Sequence, residues 1–140
     1  MAINDKEKHL LRRSHPIKVM AVDDSTTMLE LISAHLKGSK FEVVTTASSG
    51  PEAVTKYIEH RPKIVLLDMV MPEMDGSQTL KRLLETNRSL CVIMISSIGT
   101  HSAEHECLRL GAKSILQKPL KKAEVIDVLE KVCEEAGVAL

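Results

Sequence analysis

Two adjacent carboxylates at Asp23 and Asp24, a third at Asp68, a hydroxyl pair at Ser96 and Ser97 and an ammonium at Lys118 could do chemistry together. Each stands at the end of a short apolar run or just past it. Taken singly they have ordinary readings: Asp24 or Ser25 as a helix cap, Ser96 as the end of a strand, Lys118 as a solvated turn residue. Complementary groups at four of five such ends are much harder to explain one at a time. Three carboxylates meeting in one crevice repel by on the order of a few kcal/mol per close pair at an effective dielectric of about 20, so they need a cation. Oxygen-only ligands that leave room for water and a substrate phosphate suit magnesium rather than zinc or a caged calcium. Beside such an ion a carboxylate can attack phosphorus to give an acyl phosphate. The ion and Lys118 would neutralise the phosphoryl oxygens, and the Ser96 hydroxyl would donate to one of them. The set reads as a phosphoryl-accepting site.

Such a set works only if the chain brings its members together, and the hydropathy pattern provides for that. From residue 17 onward, apolar runs alternate five times with segments of helical period, the pattern of βα units on a parallel sheet. The runs are Ile17 to Val22, Phe41 to Val44, Ile64 to Leu67, Cys91 to Ile95 and Ser114 to Leu116. The third and fourth are continuous, as strands covered on both faces should be. Between them, Met28, Leu31, Ile32 and Leu36 mark a first helical stripe ending at Gly38. Val54, Tyr57 and Ile58 mark a second after Ser49-Gly50-Pro51, and both stripes should face a sheet. A third helix starts at Asp75-Gly76, a fourth ends at Gly111, and a fifth carries Val125, Ile126, Leu129, Val132 and Cys133. Ligands of an open parallel α/β sheet bind outside the carboxyl ends of its strands, where the candidate residues stand.

Length and composition restrict the rest. A chain of 140 residues holds one domain of ordinary size. The 19 basic and 19 acidic residues cancel, and Phe41 and Tyr57 are the only aromatics, so neither a nucleic-acid field nor a base-stacking platform is present. No apolar run approaches the roughly 18 residues of a membrane span. The start MAINDKEKHLLRR lacks the apolar core of a signal peptide, so a cytoplasmic location is expected, without membrane insertion. Cys91, Cys107 and Cys133 are odd in number and far apart, which suits buried thiols rather than disulfides or zinc. Residues 1 to 16, with Lys6, Lys8, Arg12 and Arg13 against Asp5 and Glu7, read as an N-terminal arm, either solvated or docking. His101, Glu104 and His105 fit an H-x-x-E-H pattern, but no third ligand accompanies them, and two exposed histidines are the simpler expectation.

The stretches MAVDDSTTM and VLLDMVMPEMDG, with the endings MISS and QKP, resemble the response-regulator receiver domain of two-component signalling. Within that family they are similar to the chemotaxis receivers, both the stand-alone regulators and the receiver of the methylesterase, the Ser96-Ser97 pair suggesting the latter. The resemblance implies a flavodoxin-like, doubly wound α/β fold over residues 17 to 140, with helices on both faces and strand order 2-1-3-4-5, the order common to flavodoxin and the chemotaxis receivers. It implies that Asp68 accepts a phosphoryl group from a sensor histidine kinase, and that Asp23, Asp24, Asp68 and the Val70 backbone carbonyl hold Mg2+. It further implies that Ser96 is the switch hydroxyl, that Lys118 pairs with the phosphoryl group ahead of a cis peptide at Pro119, and that a downstream protein docks on the fourth helix, fifth strand and fifth helix. Beyond its own phosphorylation and dephosphorylation no enzymatic activity is implied. Two features depart from the common pattern: Ile115 stands where many receivers carry an aromatic switch, and Val70 and Ile98 are apolar where some relatives carry polar groups. Two other readings stay open, a receiver severed from a methylesterase-like output domain and a magnesium-dependent phosphohydrolase. The latter would be expected to carry an acid at position 70.

Overall fold

The computed structural model describes residue 4, residues 15 to 97 and residues 101 to 140, the His101 side chain excepted. Most of the arm, Ile98 and the side chain of the first histidine of the H-x-x-E-H pattern therefore lie outside the described residues. Strands β1 (Ile17–Val22), β2 (Phe41–Ala47), β3 (Ile64–Asp68), β4 (Cys91–Ser96) and β5 (Ser114–Gln117) alternate with five helices. These are α1 (Thr26–Leu36), α2 (Gly50–His60), α3 (Gly76–Thr86), α4 (His101–Leu110) and α5 (Lys122–Ala136). The sheet is parallel throughout, in the order β2-β1-β3-β4-β5, as expected.

The alternation of side chains along each strand divides the core in two. Val19, Ala21, Ile64, Leu66, Ile93 and Ile95 point to one face, where Ile32 and Leu36 of α1 and Val125, Leu129 and Val132 of α5 cover them. Met20, Val22, Val65, Leu67, Val92 and Met94 point to the other, under Tyr57 of α2, Leu80 and Leu83 of α3 and Cys107 of α4. Strands β3 and β4 are buried at every position, which is why their runs are continuous rather than alternating. Each fully buried Ile, Leu or Met contributes roughly 1.5 to 3 kcal/mol, so these two strands supply a large share of the core's stabilisation. The three thiols are free and buried; burial pushes Cys133 up to about 11, so it stays a protonated small hydrophobe.

Several boundaries differ from the sequence expectation. Strand β2 runs on from Val44 to Ala47, because Thr45, Thr46 and Ala47 pair with Met20, Ala21 and Val22 after a register shift. Its outward positions on a sheet edge can be polar, which hides the strand from an apolar count. Strands β3, β4 and β5 each extend one residue, taking in Asp68, Ser96 and Gln117. Leu31 and Ile58 are exposed, at 36% and 52%, although both fall on stripes expected to face the sheet. Their neighbours Ile32 and Tyr57 take the sheet-facing direction, and one step of about 100° turns the adjacent residue outward.

Helix α3 seats the loop that follows β3. Asp75 caps it through a capping box with Gln78, and the Gly76 N–H donates to the Met69 carbonyl at 2.9 Å. A Cβ on Gly76 would lie 2.6 Å from Met69 Cα and 2.8 Å from the Asp68 carbonyl oxygen, both backbone atoms beside the central acid. Gly76→Ala is therefore expected to lower stability by about 1 to 3 kcal/mol, read from the urea midpoint at unchanged m-value. A variant as stable as wild type would mean that the helix start can retreat from β3 at no cost.

Candidate functional site

The strand ends meet at one edge of the sheet, and the loops carrying the site residues are held by hydrogen bonds that continue the ladder past the strands. The Asp23 N–H donates to Ala47 O at 3.0 Å, the Met69 N–H to Ile95 O at 3.0 Å and the Lys118 N–H to Ser96 O at 2.8 Å. These bonds fix the first backbone positions after β1, β3 and β5 against their neighbouring strands. Ser25 caps α1 by accepting from the Met28 N–H, and Asp23 Oδ1 accepts from the Ser25 N–H at 2.9 Å. The Asp23 carboxylate is thus oriented by the same turn that starts α1.

Carboxylate oxygens of Asp23, Asp24 and Asp68 lie within 4.8 Å of one another, the one such cluster among the described residues. Asp23 and Asp68 are 1% and 4% exposed, while Asp24 is open to solvent. Lys118 Nζ stands 3.6 Å from Asp23 Oδ2 and 3.5 Å from Asp68 Oδ1, one cation between two buried acids. Ser96 is completely buried at the end of β4, and the Lys118-Pro119 peptide is cis. Val70, 64% exposed, follows the acid by two residues, and its N–H donates to Asp68 Oδ1 at 3.4 Å. Asp23, Asp24, Asp68, Ser96 and Lys118, all singled out in the sequence, therefore stand at this edge.

Burial pushes the Asp68 carboxyl above its ordinary value of 3.8, and the Asp23 charge pushes it the same way. The Lys118 ammonium and the Val70 N–H act in the opposite direction without cancelling them. Two buried oxygens have no hydrogen-bond partner among the described residues, Asp23 Oδ2 and Ser96 Oγ. Lys118 approaches the first only at ion-pair distance. An unpaired buried oxygen costs about 1 to 3 kcal/mol, more when charged, so the site is incomplete as a set of protein groups alone. The donors fit a hard divalent cation: all are oxygens, their summed charge exceeds what Lys118 offsets, and Asp24 keeps one side open to water.

One contact had no signal in the sequence. His35 of α1, in no motif, donates from Nε2 to the Leu120 carbonyl at 3.3 Å, across 85 residues, two positions past Lys118. A lone histidine near a helix end gives no hint of such a partner.

A family model described as the response regulator receiver domain matches residues 19–130. The chain is 40% identical over 118 residues to the chemotaxis protein CheY of Listeria monocytogenes, covering 84% of this chain and 99% of that one. It is 36% identical to the CheY of Bacillus subtilis, covering 81% of this chain and 95% of that protein. A protein-glutamate methylesterase/protein-glutamine glutaminase of Bacillus licheniformis is 41% identical over 106 residues, but the match covers only 29% of that protein. Among solved structures, a chain of the CheX-CheY-BeF3-Mg complex from Borrelia burgdorferi superposes with a TM-score of 0.81 at 35% identity, covering 87% of this chain and 92% of that one.

The raised Asp68 carboxyl has a consequence for stability. Because the folded state holds that proton more tightly than the unfolded chain, stability is full below about 3.8 and is lost as pH rises through the folded value. Asp68→Asn removes this loss. Thermal melts in a chelator are expected to show the variant above wild type at pH 7, with the gap narrowing toward pH 4. A gap that is constant over that range would mean the Asp68 charge costs the fold nothing.

Proposed function

The chain belongs to the family of response-regulator receiver domains, phosphoacceptor signalling modules, and from that membership we propose that Asp68 is the residue that receives the phosphoryl group. The observation that carries the assignment is a buried carboxylate at the end of β3 with two further carboxylates within 4.8 Å and an ammonium 3.5 Å away. Asp23, Asp24, Asp68 and the Val70 backbone carbonyl would hold Mg2+, whose charge offsets that of the phosphoryl oxygens when bound. An Asp68 carboxylate oxygen attacks phosphorus, the new O–P bond forms as the bond to the donor breaks, and the donor's leaving group takes a proton from solvent. Lys118 meets the phosphoryl oxygens and releases Asp68 from the ion pair it makes beforehand. Ser96 then has a partner for its lone hydroxyl, which otherwise has none among the described residues.

The donor is a phosphohistidine on a sensor histidine kinase, and the reader is a protein that docks on α4, β5 and α5. A structure of a related CheY with CheX supports a protein partner of this kind. Ile115 is half-buried and aliphatic, so the docking surface moves by backbone displacement rather than by ring rotation. Residues 17 to 140 form the receiver and residues 1 to 16 an arm preceding it. The chain promotes its own phosphorylation and dephosphorylation and no other reaction. Three free, buried thiols support a cytoplasmic location, and no helix among the described residues is long and apolar enough to cross a membrane. The methylesterase relatives, longer than the matched region, support a second reading in which the same receiver governs an output domain.

With acetyl phosphate and magnesium the protein is expected to gain one phosphoryl group by intact mass, and Asp68→Asn is expected to gain none. A full-strength adduct on the Asn variant would remove Asp68 from its role. Ser96→Ala and Lys118→Ala are expected to keep the adduct, more slowly for the lysine change, and to lose most of the amide shift changes that beryllofluoride produces from Ile98 to Val128. Variants that shift as fully as wild type would show that neither side chain is the switch.

A further inference from the structure

Lys118 must stand between Asp23 and Asp68, yet its own turn offers little to hold it. The chain leaves β5 at Gln117, and its last ladder bond is the one from the Lys118 N–H to Ser96 O. Three residues later α5 starts from Lys121, whose side chain makes no capping hydrogen bond. The segment between is tied from elsewhere. Leu120 is buried in the same cluster as Ile32 and Leu36, which flank His35 on α1, and its carbonyl accepts from His35 Nε2 at 3.3 Å. A carbonyl only accepts, so this bond requires a proton on Nε2. The helix that supplies it begins just after Asp23 and Asp24, and Asp23 is bonded into that start. One rigid element of 11 residues is thus tied at its first turn to the acid pair and near its end to the segment carrying the cation.

We propose that His35 is a positioning residue for Lys118, fixing through the Leu120 carbonyl the distance between the ammonium and the two acids. The proposal rests on the phosphoacceptor role of Asp68. It makes the α1 to β5–α5 contact part of the site's precision rather than of general packing. Loss of the bond frees Leu120 and lets the ammonium sample positions away from Asp68, where it meets the incoming phosphoryl group less often.

The full-length chain and its variants are compared in the initial rate of phosphorylation by acetyl phosphate in saturating magnesium. His35→Leu, which keeps an apolar stem between Ile32 and Leu36, is expected to be slowed about fivefold. His35→Gln, whose amide nitrogen ends near the Nε2 position, is expected to recover to within about twofold of wild type, and the shorter His35→Asn is not. In a Lys118→Ala background, His35→Leu is expected to cause no further slowing, which a merely structural role would not produce. His35→Leu at the wild-type rate, equal slowing with and without Lys118, or rescue by Asn as good as by Gln would each overturn this inference alone. A wild-type chain that takes up no phosphoryl group would overturn the underlying function as well.

Discussion

Like charges held together at the carboxyl ends of the strands are the constraint on which the functional edge of this molecule depends. Asp23 and Asp68 are almost wholly buried, Asp24 stands beside them, and the Lys118 ammonium reaches the two buried acids at 3.6 and 3.5 Å. Such a cluster raises the free energy of the folded state, and the Asp68 carboxyl is pushed up by its burial first and by the Asp23 charge beside it second. Stability elsewhere must outweigh it. The two fully buried central strands and the helix layers on both faces supply that surplus. What the acids lack in the protein alone, a divalent cation can provide, so the same repulsion that costs stability favours binding of the cation.

The scaffold turns this local strain into a defined geometry. Parallel strands end on one edge, and the ladder continues by one hydrogen bond into each of the loops that carry site residues, at Asp23, Met69 and Lys118. The loop after β3 is packed tightly against the start of α3, at a glycine with no room for a side chain. On the opposite face, α1 links the acid pair to the segment after β5. Precision at the site is therefore a property of the sheet ends, the starts of α1 and α3 and the tie from near the end of α1 to the segment after β5, with the loops contributing little of their own.

Much of this is legible in the sequence because it follows from local chemistry. Apolar runs mark all five strands, and the polar residues at the ends of four of them mark the functional edge. Asp75-Gly76 announces the start of α3 through cap preference. The failures are equally physical. Thr45 and Thr46 conceal the end of β2, since pairing with β1 rather than hydrophobicity keeps them in the strand. Leu31 and Ile58 pass for core residues because a stripe read from sequence is broader than the one the sheet buries. Glu73 and Arg61 take positive φ without a glycine to announce it. The His35 to Leu120 contact joins residues that no local rule connects.

Carboxyl carbon chemical shifts followed through a magnesium titration address the shared acid site most directly. If Asp23, Asp24 and Asp68 act as one cation site, their three resonances move together with one midpoint, while those of the exposed Asp75 and Asp127 stay in place. Movement of one carboxyl without the others, separate midpoints, or shifts no larger than those of Asp75 would contradict a common site and with it the electrostatic basis of the fold's active edge.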